Sequence, residues 1–418
     1  MKIIVIGSGG REYTIIKSLK TNPKIEKIYA LPGNGGTADL AENVDIAAKD
    51  IDGIVDFAVS NKIDFAVVAP DDPLALGAVD RLHGAGIRCF GPEKKAAIIE
   101  SSKVFSKRLM KKYSIPTAEF GVFHTPEDAL KFLDYAKYPT VVKADGLALG
   151  KGVIIAQGRE DAEKAIRSIM ADRVFGDSGN AIVIEEFLSG PEVTVLAFTD
   201  GKTVLPMVSS MDHKRAGDGD TGLNTGGMGT IAPNPFYTEE IAAECMEKIF
   251  APTIDAMNAE GRKFRGCLYF GLMLTADGPK VIEYNCRFGD PETQVVLPLL
   301  ETDLLTVMEA VENEALADVD VKFSKKCACC VILASKGYPE AYETGKEIDF
   351  GNVSVLEGVT VSHSGTKLEN GKIYTSGGRV LGVTAVCDTL EEAVERAYEA
   401  AGMIKFENKY NRTDIGKR

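Results

Sequence analysis

Over its first hundred residues the chain alternates short apolar runs with amphipathic ones, and no other feature narrows its possible folds so far. KIIVIG is followed by the helix signal REYTIIKSLK, then KIYALPG and DFAVVAP, the amphipathic ALGAVDRLHGAG, and RCFGP. Strands buried on both faces read as unbroken apolar runs, and strands separated by helices join in parallel. An N-terminal parallel α/β domain over residues 1–102 is expected. A chain of 418 residues exceeds what one core usually organises, so this domain should have companions.

The remainder changes character. SSKVFSKRLMKK reads as a helix with a serine cap. TAEFGVF, PEDALKFLDYAK, YPTVVKAD, EDAEKAIRSIMAD and AIVIEEFL then alternate as in a small α+β lid, about residues 118–190. Strands dominate next, in EVTVLAFTDG and KTVLPMVSS, before a long polar loop, DHKRAGDGDTGLNTGGMG. A helix over TEEIAAECMEKIFAPTIDAMNAEG leads into GCLYFGLMLT and KVIEYN, two strands split by the turn signal ADGP. A central unit over 103–322 and a small C-terminal α+β domain over 323–418 complete an α/β and α+β multidomain chain.

A net charge of -13 argues against a general nucleic-acid binder, which would carry a basic excess. The apolar start is far shorter than a signal-peptide core, and no stretch approaches a membrane span, so a cytoplasmic location without a membrane partner is expected. Eight cysteines are scattered, and the cluster CACC has no second pair to complete a metal site; buried reduced thiols are expected.

Four segments carry chemistry. The first strand ends in GSGGRE, where Glu12 replaces the third glycine of a dinucleotide fingerprint and IYALPG lacks the acidic residue that would hold a ribose. A phosphate or ribose at the helix N-terminus still fits. In VVKADGLALGKGV, Lys143 lies on an otherwise apolar strand before a loop with three glycines and Lys151, a composition that lets backbone amides approach phosphate. It is not a Walker loop, because Gly152 follows that lysine. Glu185 and Glu186 end the strand AIVIEE, where backbone groups can meet an adenine edge, and Glu192 can accept ribose hydroxyls. In VIEYNCRFGDPETQ, alternation puts Glu283, Asn285 and Arg287 on one face and Ile282, Tyr284 and Cys286 on the other. A carboxylate and an amide oxygen in one row suit a hard cation such as Mg2+, and Arg287 suits the anion it holds.

Together these segments resemble the ATP-grasp superfamily and, within it, the glycinamide ribonucleotide synthetases. The resemblance runs through GSGGRE, PGNGGTA, VVKADGLALGKGV, IEEFLSGPE, DHKRAGDGDTGLNTGGMG, NCRFGDPETQ, SGGRVLGVTA and YNRTDIGKR in that order. It implies an ATP-grasp core with a lid, and the joining of glycine to 5-phosphoribosylamine with ATP and Mg2+ or Mn2+, by way of glycyl phosphate. Lys103, Lys143, Gly150, Lys151 and Gly152 are then expected at the phosphates, with Glu185, Glu186, Phe187 and Leu188 at adenine and Glu192 at ribose. Glu283 and Asn285 become metal ligands, and Arg287, Lys214 and Asp212 catalytic. Gly9, Gly10, Arg11, Glu12, Asp212, His213, Lys214, Arg215 and Asp290 are expected around glycine and ribosylamine. Two departures stand out: Leu272, Met273 and Leu274 fill the strand where many relatives carry another metal carboxylate, and Tyr13 replaces a usual histidine. A different ATP-grasp carboxylate–amine ligase or carboxylase, or a non-catalytic nucleotide-binding module, is the alternative. A monomer is expected, with a homodimer as the other arrangement.

Overall fold

The computed structural model describes residues 1–147 and 152–417. Five strands open the chain: β1 (Lys2–Gly7), β2 (Lys27–Pro32), β3 (Glu42–Asn43), β4 (Phe65–Val68) and β5 (Arg88–Phe90). They form a parallel sheet in the order β3-β2-β1-β4-β5, as the alternating pattern requires. Ile4, Ile6, Ala66 and Val68 pack into one core and Ile3, Val5, Phe65 and Val67 into another, so both faces are covered.

Next come β6 (Phe120–Phe123), β7 (Thr140–Ala144), β8 (Val153–Ala156) and β9 (Ile182–Glu186), an antiparallel sheet in the order β6-β9-β7-β8. Its core of Ala129, Leu133, Val142, Ala156, Ile166 and Ile184 is separate from the two main cores. A unit with its own core can move as one body, as a lid must.

Strands β10 (Glu192–Thr199) and β11 (Val204–Pro206) precede four short ones, β12 (Met211–Asp212), β13 (Arg215–Gly217), β14 (Thr221–Asn224) and β15 (Gly229–Ala232). Half of the segment expected as a polar loop is therefore in strand. The long helical segment Glu239–Ala259, which passes through a π turn at Met246–Phe250, leads to the hairpin β16 (Gly266–Thr275) and β17 (Gly278–Asn285). Together β11-β10-β16-β17 make the central antiparallel sheet.

The chain closes with β18 (Cys327–Ser335), β19 (Val359–His363), β20 (Thr366–Glu369), β21 (Lys372–Thr375), β22 (Arg379–Cys387) and β23 (Lys409–Tyr410). The final sheet runs β12-β15-β18-β22-β19, with β23 also on β18. It thus combines strands from both sides of residue 322, because β15 uses its free edge to pair with β18 from Gly229↔Val331 to Ala232↔Ala328. All eight cysteines are free thiols, seven of them buried. None of the described helices is long and apolar enough to cross a membrane.

Candidate active site

The central hairpin sets the site. Gly271 faces Glu283 and Tyr269 faces Asn285, so these four share one face of the sheet. A register shift follows Gly271, and Ile282 is the residue left over between Val281 and Glu283. Simple alternation had placed Ile282 with Tyr284 and Cys286. Instead it joins Ala118, Leu188 and Met273 in a small apolar patch, while Val281, Tyr284 and Cys286 enter the main core. A β-carbon on Gly271 would sit 2.9 Å from Glu283 Cγ, so only glycine leaves that carboxylate its room.

Cations converge on Glu283. Lys214 Nζ lies 3.3 Å from its Oε1 and 3.7 Å from Glu192 Oε2. Lys214 first, then Lys143 and Lys103, hold the Glu283 carboxyl down to about 2 against burial, and Glu283 in turn holds the Lys214 ammonium well above its ordinary value. Glu283 and the neighbouring Asn285 amide offer hard oxygens two residues apart. That donor set fits a divalent cation shared with phosphate oxygens better than a cage built wholly from protein; among the described residues no group of three His, Cys, Asp or Glu could form such a cage.

Above this floor, Val141 on β7 pairs with Glu185 on β9, so Lys143 and Glu185 are diagonal neighbours on one face. The Glu185 carboxylate is buried, with Lys143 against one oxygen and Lys107 against the other. Lys107 also donates to Thr117 Oγ1 at 2.8 Å, and Lys143 to the Ile282 carbonyl at 3.1 Å, which ties the lid strand to β17. Burial pushes the Lys107 ammonium down to about 8; burial also pushes Glu185 up, but Lys143 and Lys107 more than offset it. Lys107 was not anticipated, although it lies one turn beyond Lys103 on the helix Lys103–Lys112 and shares its face. Lys103 donates to the Gly146 carbonyl at 2.9 Å, while Asp145 accepts from the Ser102 hydroxyl at 3.0 Å and the Val104 amide at 3.1 Å, docking that helix to the loop after β7.

The expected adenine strand end divides in two. The Glu185 carbonyl accepts from Thr140 Oγ1 at 2.9 Å, and Glu186 Oε1 accepts from the Glu119 amide at 3.1 Å. Past the strand, Phe187 is exposed and Leu188 joins the apolar patch, and their backbone groups have no partner among the described residues. Gly150 and Lys151 lie outside the described residues; the Gly152 carbonyl accepts from the Ala144 amide at 2.8 Å.

Arg287 lies beside Glu100, 3.3 Å from Nη2 to Oε1, and the other Glu100 oxygen accepts from the Cys286 amide at 2.7 Å. Glu100, on the helix Lys94–Ser101, is a second unanticipated residue; its contact bridges 186 positions of sequence and has no local signature.

The remaining expected residues meet at a three-way junction. Asp290 accepts from Gln294 Nε2 at 2.8 Å and the Arg11 amide at 3.4 Å, and lies 3.4 Å from Arg379 Nη2. Arg379, also unanticipated, reaches in from β22 to the Asp290 and Gly226 carbonyls, at 2.7 and 2.6 Å. A β-carbon on Gly9 would sit 2.9 Å from Asp290 Oδ2, and one on Gly10 would press on Gln294 and Ser364, so both glycines permit close docking. The Arg11 and Glu12 side chains are spent internally, Arg11 Nε on Glu12 Oε1 at 2.5 Å and Nη1 on the Phe288 carbonyl at 3.1 Å, with Glu12 Oε2 capping the Gly9 amide. His213 is buried, with Nδ1 3.2 Å from the Gly229 carbonyl, and Arg215 donates to the Gly222 carbonyl at 2.8 Å within its own hairpin. These two side chains therefore turn away from Lys214 and Glu283, whereas Asp212 lies in the field of Lys214.

Residues 1–100, 101–293 and 328–418 match the N domain, ATP-grasp (A) domain and C domain of phosphoribosylglycinamide synthetase. The phosphoribosylamine–glycine ligase of Caldanaerobacter subterraneus is 48% identical over 99% of both chains, and that of Clostridium acetobutylicum 46% identical over 100% of both. The crystal structure of the Thermotoga maritima phosphoribosylamine–glycine ligase superposes with a TM-score of 0.88 at 35% identity, covering 99% of this chain and 100% of that one. A biotin carboxylase domain from Hydrogenobacter thermophilus, solved with MgADP, shares the fold at 17% identity and a TM-score of 0.76, covering 98% of this chain and 91% of that one. The chain belongs to the phosphoribosylglycinamide synthetase family of ATP-grasp enzymes, the phosphoribosylamine–glycine ligases of de novo purine biosynthesis.

Proposed function

We propose that ligation runs through glycyl phosphate in the cleft between the lid sheet and the β16–β17 hairpin. The observation that carries this is the convergence of Lys214, Lys143 and Lys103 on Glu283, which gathers cationic groups from three segments around one carboxylate. Phosphoryl transfer needs such positioning and charge neutralisation more than a protein nucleophile.

In this reading Phe187 and Leu188 meet the adenine edge through their backbone groups, on the apolar bed of Ala118, Leu188, Met273 and Ile282. Glu192 accepts the ribose hydroxyls; Lys103 and Lys143, with Gly150, Lys151 and Gly152, hold the phosphates. Glu185 acts indirectly, by fixing Lys143. A divalent cation on Glu283 and Asn285, taken as Mg2+, would supply further neutralisation of the phosphate tail. Arg287, held by Glu100, steadies the glycine carboxylate as one of its oxygens attacks the γ-phosphorus and ADP leaves. The ribosylamine nitrogen then attacks the acyl carbon, the carbon–oxygen bond to phosphate breaks, and phosphate departs with that oxygen. Ribosylamine is placed between Gly9–Glu12, the Asp212–Arg215 segment and Asp290. Units 1–102, 103–322 with its lid at about 118–190, and 323–418 form the working divisions of a cytoplasmic monomer without nucleic-acid or membrane partners.

Glycine labelled with heavy oxygen in its carboxylate tests the route. One labelled oxygen should appear in each phosphate released, with ADP release dependent on Mg2+, and Glu283→Gln should abolish turnover while leaving the fold intact. Unlabelled phosphate, or an active Glu283→Gln enzyme, would reject the route or the metal assignment respectively.

A further inference from the structure

Lys214 is carried by a segment that has little to hold itself in place. Up to His213 the chain is tied to β15 and the turn before it, the His213 amide donating to the Gly229 carbonyl and the Met228 amide to the His213 carbonyl, both at 2.9 Å. Past Lys214 it leaves that sheet as the β13–β14 hairpin and returns at Thr225, whose amide and hydroxyl both donate to the Lys214 carbonyl at 2.8 Å. The Lys214 backbone therefore goes where the hairpin goes. An isolated two-stranded hairpin is marginal in water. This one, RAGDGDTGLN, has low strand preference, an irregular register between Arg215 and Gly217, and no residue in any hydrophobic core among the described residues.

The C-terminal tail supplies what the hairpin lacks. The Tyr410 hydroxyl donates to the Ala216 carbonyl at 2.7 Å, and Asp218 accepts from the Thr413 amide at 2.8 Å and the Thr413 hydroxyl at 2.6 Å. The Gly219 amide donates to Asp414 Oδ2 at 2.8 Å. At the centre is Arg412, whose side chain is fully buried. Its Nε and Nη2 fork onto the two Asp414 oxygens at 2.7 Å each, and its Nη1 reaches Asp220 Oδ1 at 2.9 Å and the Arg215 carbonyl at 3.1 Å. A guanidinium makes all of these bonds at once, whereas an ammonium has three donors and no fork. The tail is itself fixed on both sides of Arg412. Ahead of it, Lys409 and Tyr410 pair with β18; behind it, Ile415 enters the C-terminal core. Between them the Tyr398 hydroxyl bridges the Arg412 carbonyl and the Ile415 amide, at 3.0 and 2.9 Å.

We propose that Arg412 is a positioning residue for ligation: by clamping the β13–β14 hairpin to the C-terminal unit, it keeps Lys214 opposite Glu283 and Glu192. This rests on the reading of the cleft above, in which Lys214 is one of the cations gathered around Glu283.

Arg412→Lys keeps the charge and loses the fork, whereas Asp218→Ala removes only the exposed bonds to Thr413. ADP release with glycine, ribosylamine and MgATP is measured for both, and hydrogen exchange is followed along the full chain. In Arg412→Lys, exchange over residues 215–225 should quicken at least tenfold with β16 and β17 unchanged, and kcat should fall at least tenfold while the ATP KM stays within twofold. Asp218→Ala should move exchange and kcat the same way, by threefold or more. An undiminished kcat beside a loosened hairpin, a hairpin that does not loosen, or an ATP KM that rises as far as kcat falls would overturn the proposal. Should Arg412→Lys fail to fold, Asp218→Ala decides alone by the same criteria. The labelled-oxygen experiment keeps the two claims apart: unlabelled phosphate sinks the cleft chemistry whatever Arg412→Lys does to the hairpin, whereas label transfer with a loosened hairpin and full kcat sinks this assignment alone.

Discussion

Glu185 shows how one buried carboxylate can govern two buried cations. Its two oxygens separate Lys107 from Lys143 in an interior where neither ammonium has bulk water to screen it. Glu185→Gln removes the negative charge and leaves two buried cations facing a neutral amide. Breaking a buried ion pair on one side costs roughly 3–5 kcal/mol, so thermal unfolding should shift down accordingly, and the ATP KM should rise as Lys143 loses its tether. A variant as stable as the wild type would mean that the lysines do not depend on this carboxylate. Lys143 was legible in the sequence because an ammonium inside TVVKAD contradicts its apolar surroundings. Lys107 was not, since a lysine in KVFSKRLMKK is indistinguishable from the solvated lysines beside it until β9 is placed against that helix.

The β16–β17 hairpin turns this residue chemistry into geometry. Its register shift puts Ile282 on the apolar patch and lets Glu283 face Gly271, so the Glu283 carboxylate is aimed by a bulge and a missing β-carbon. Gly271→Ala is compatible with strand backbone and should fold, yet its methyl would displace Glu283. Since misplacement by about 1 Å can cost on the order of a hundredfold, kcat should fall steeply with little change in melting temperature; wild-type kcat in this variant would show that the glycine does not aim Glu283. The parallel N-terminal sheet was readable because apolar runs and helices alternate there without interruption. The bulge was not, because strict alternation is the only local rule and it misplaces Ile282. Nor were β12 to β15, whose Gly- and Asp-rich sequence has low strand preference; β12 and β15 owe their extended form to the row of hydrogen bonds leading to β18.

At the scale of the whole molecule, the N- and C-terminal units clasp each other directly as well as through the central sheet. Asn34 donates to the Ser8 and His363 carbonyls at 2.9 and 2.8 Å, the Gly35 amide to the Thr366 carbonyl at 2.9 Å, and a β-carbon on Gly36 would overlap the His363 ring. His363 lies 5.5 Å, centroid to centroid, from both Tyr13 and Phe350. The aromatic at position 13, a departure from the usual motif, thus packs against the C-terminal unit. Burial pushes the His363 imidazole down to about 4, only partly opposed by Asp39. In the unfolded chain the same group takes up a proton near pH 6.5. Between those values the unfolded state binds more protons than the folded one, so stability contributed at neutral pH is lost as the pH falls through this window. A difference of that size is worth about 3 kcal/mol. His363→Phe keeps a ring in the clasp and removes the proton site. Its melting temperature should therefore fall less than that of the wild type between pH 6.5 and 4.5, while the carboxylates elsewhere affect both proteins alike; parallel slopes would mean that the clasp is not what acid loosens.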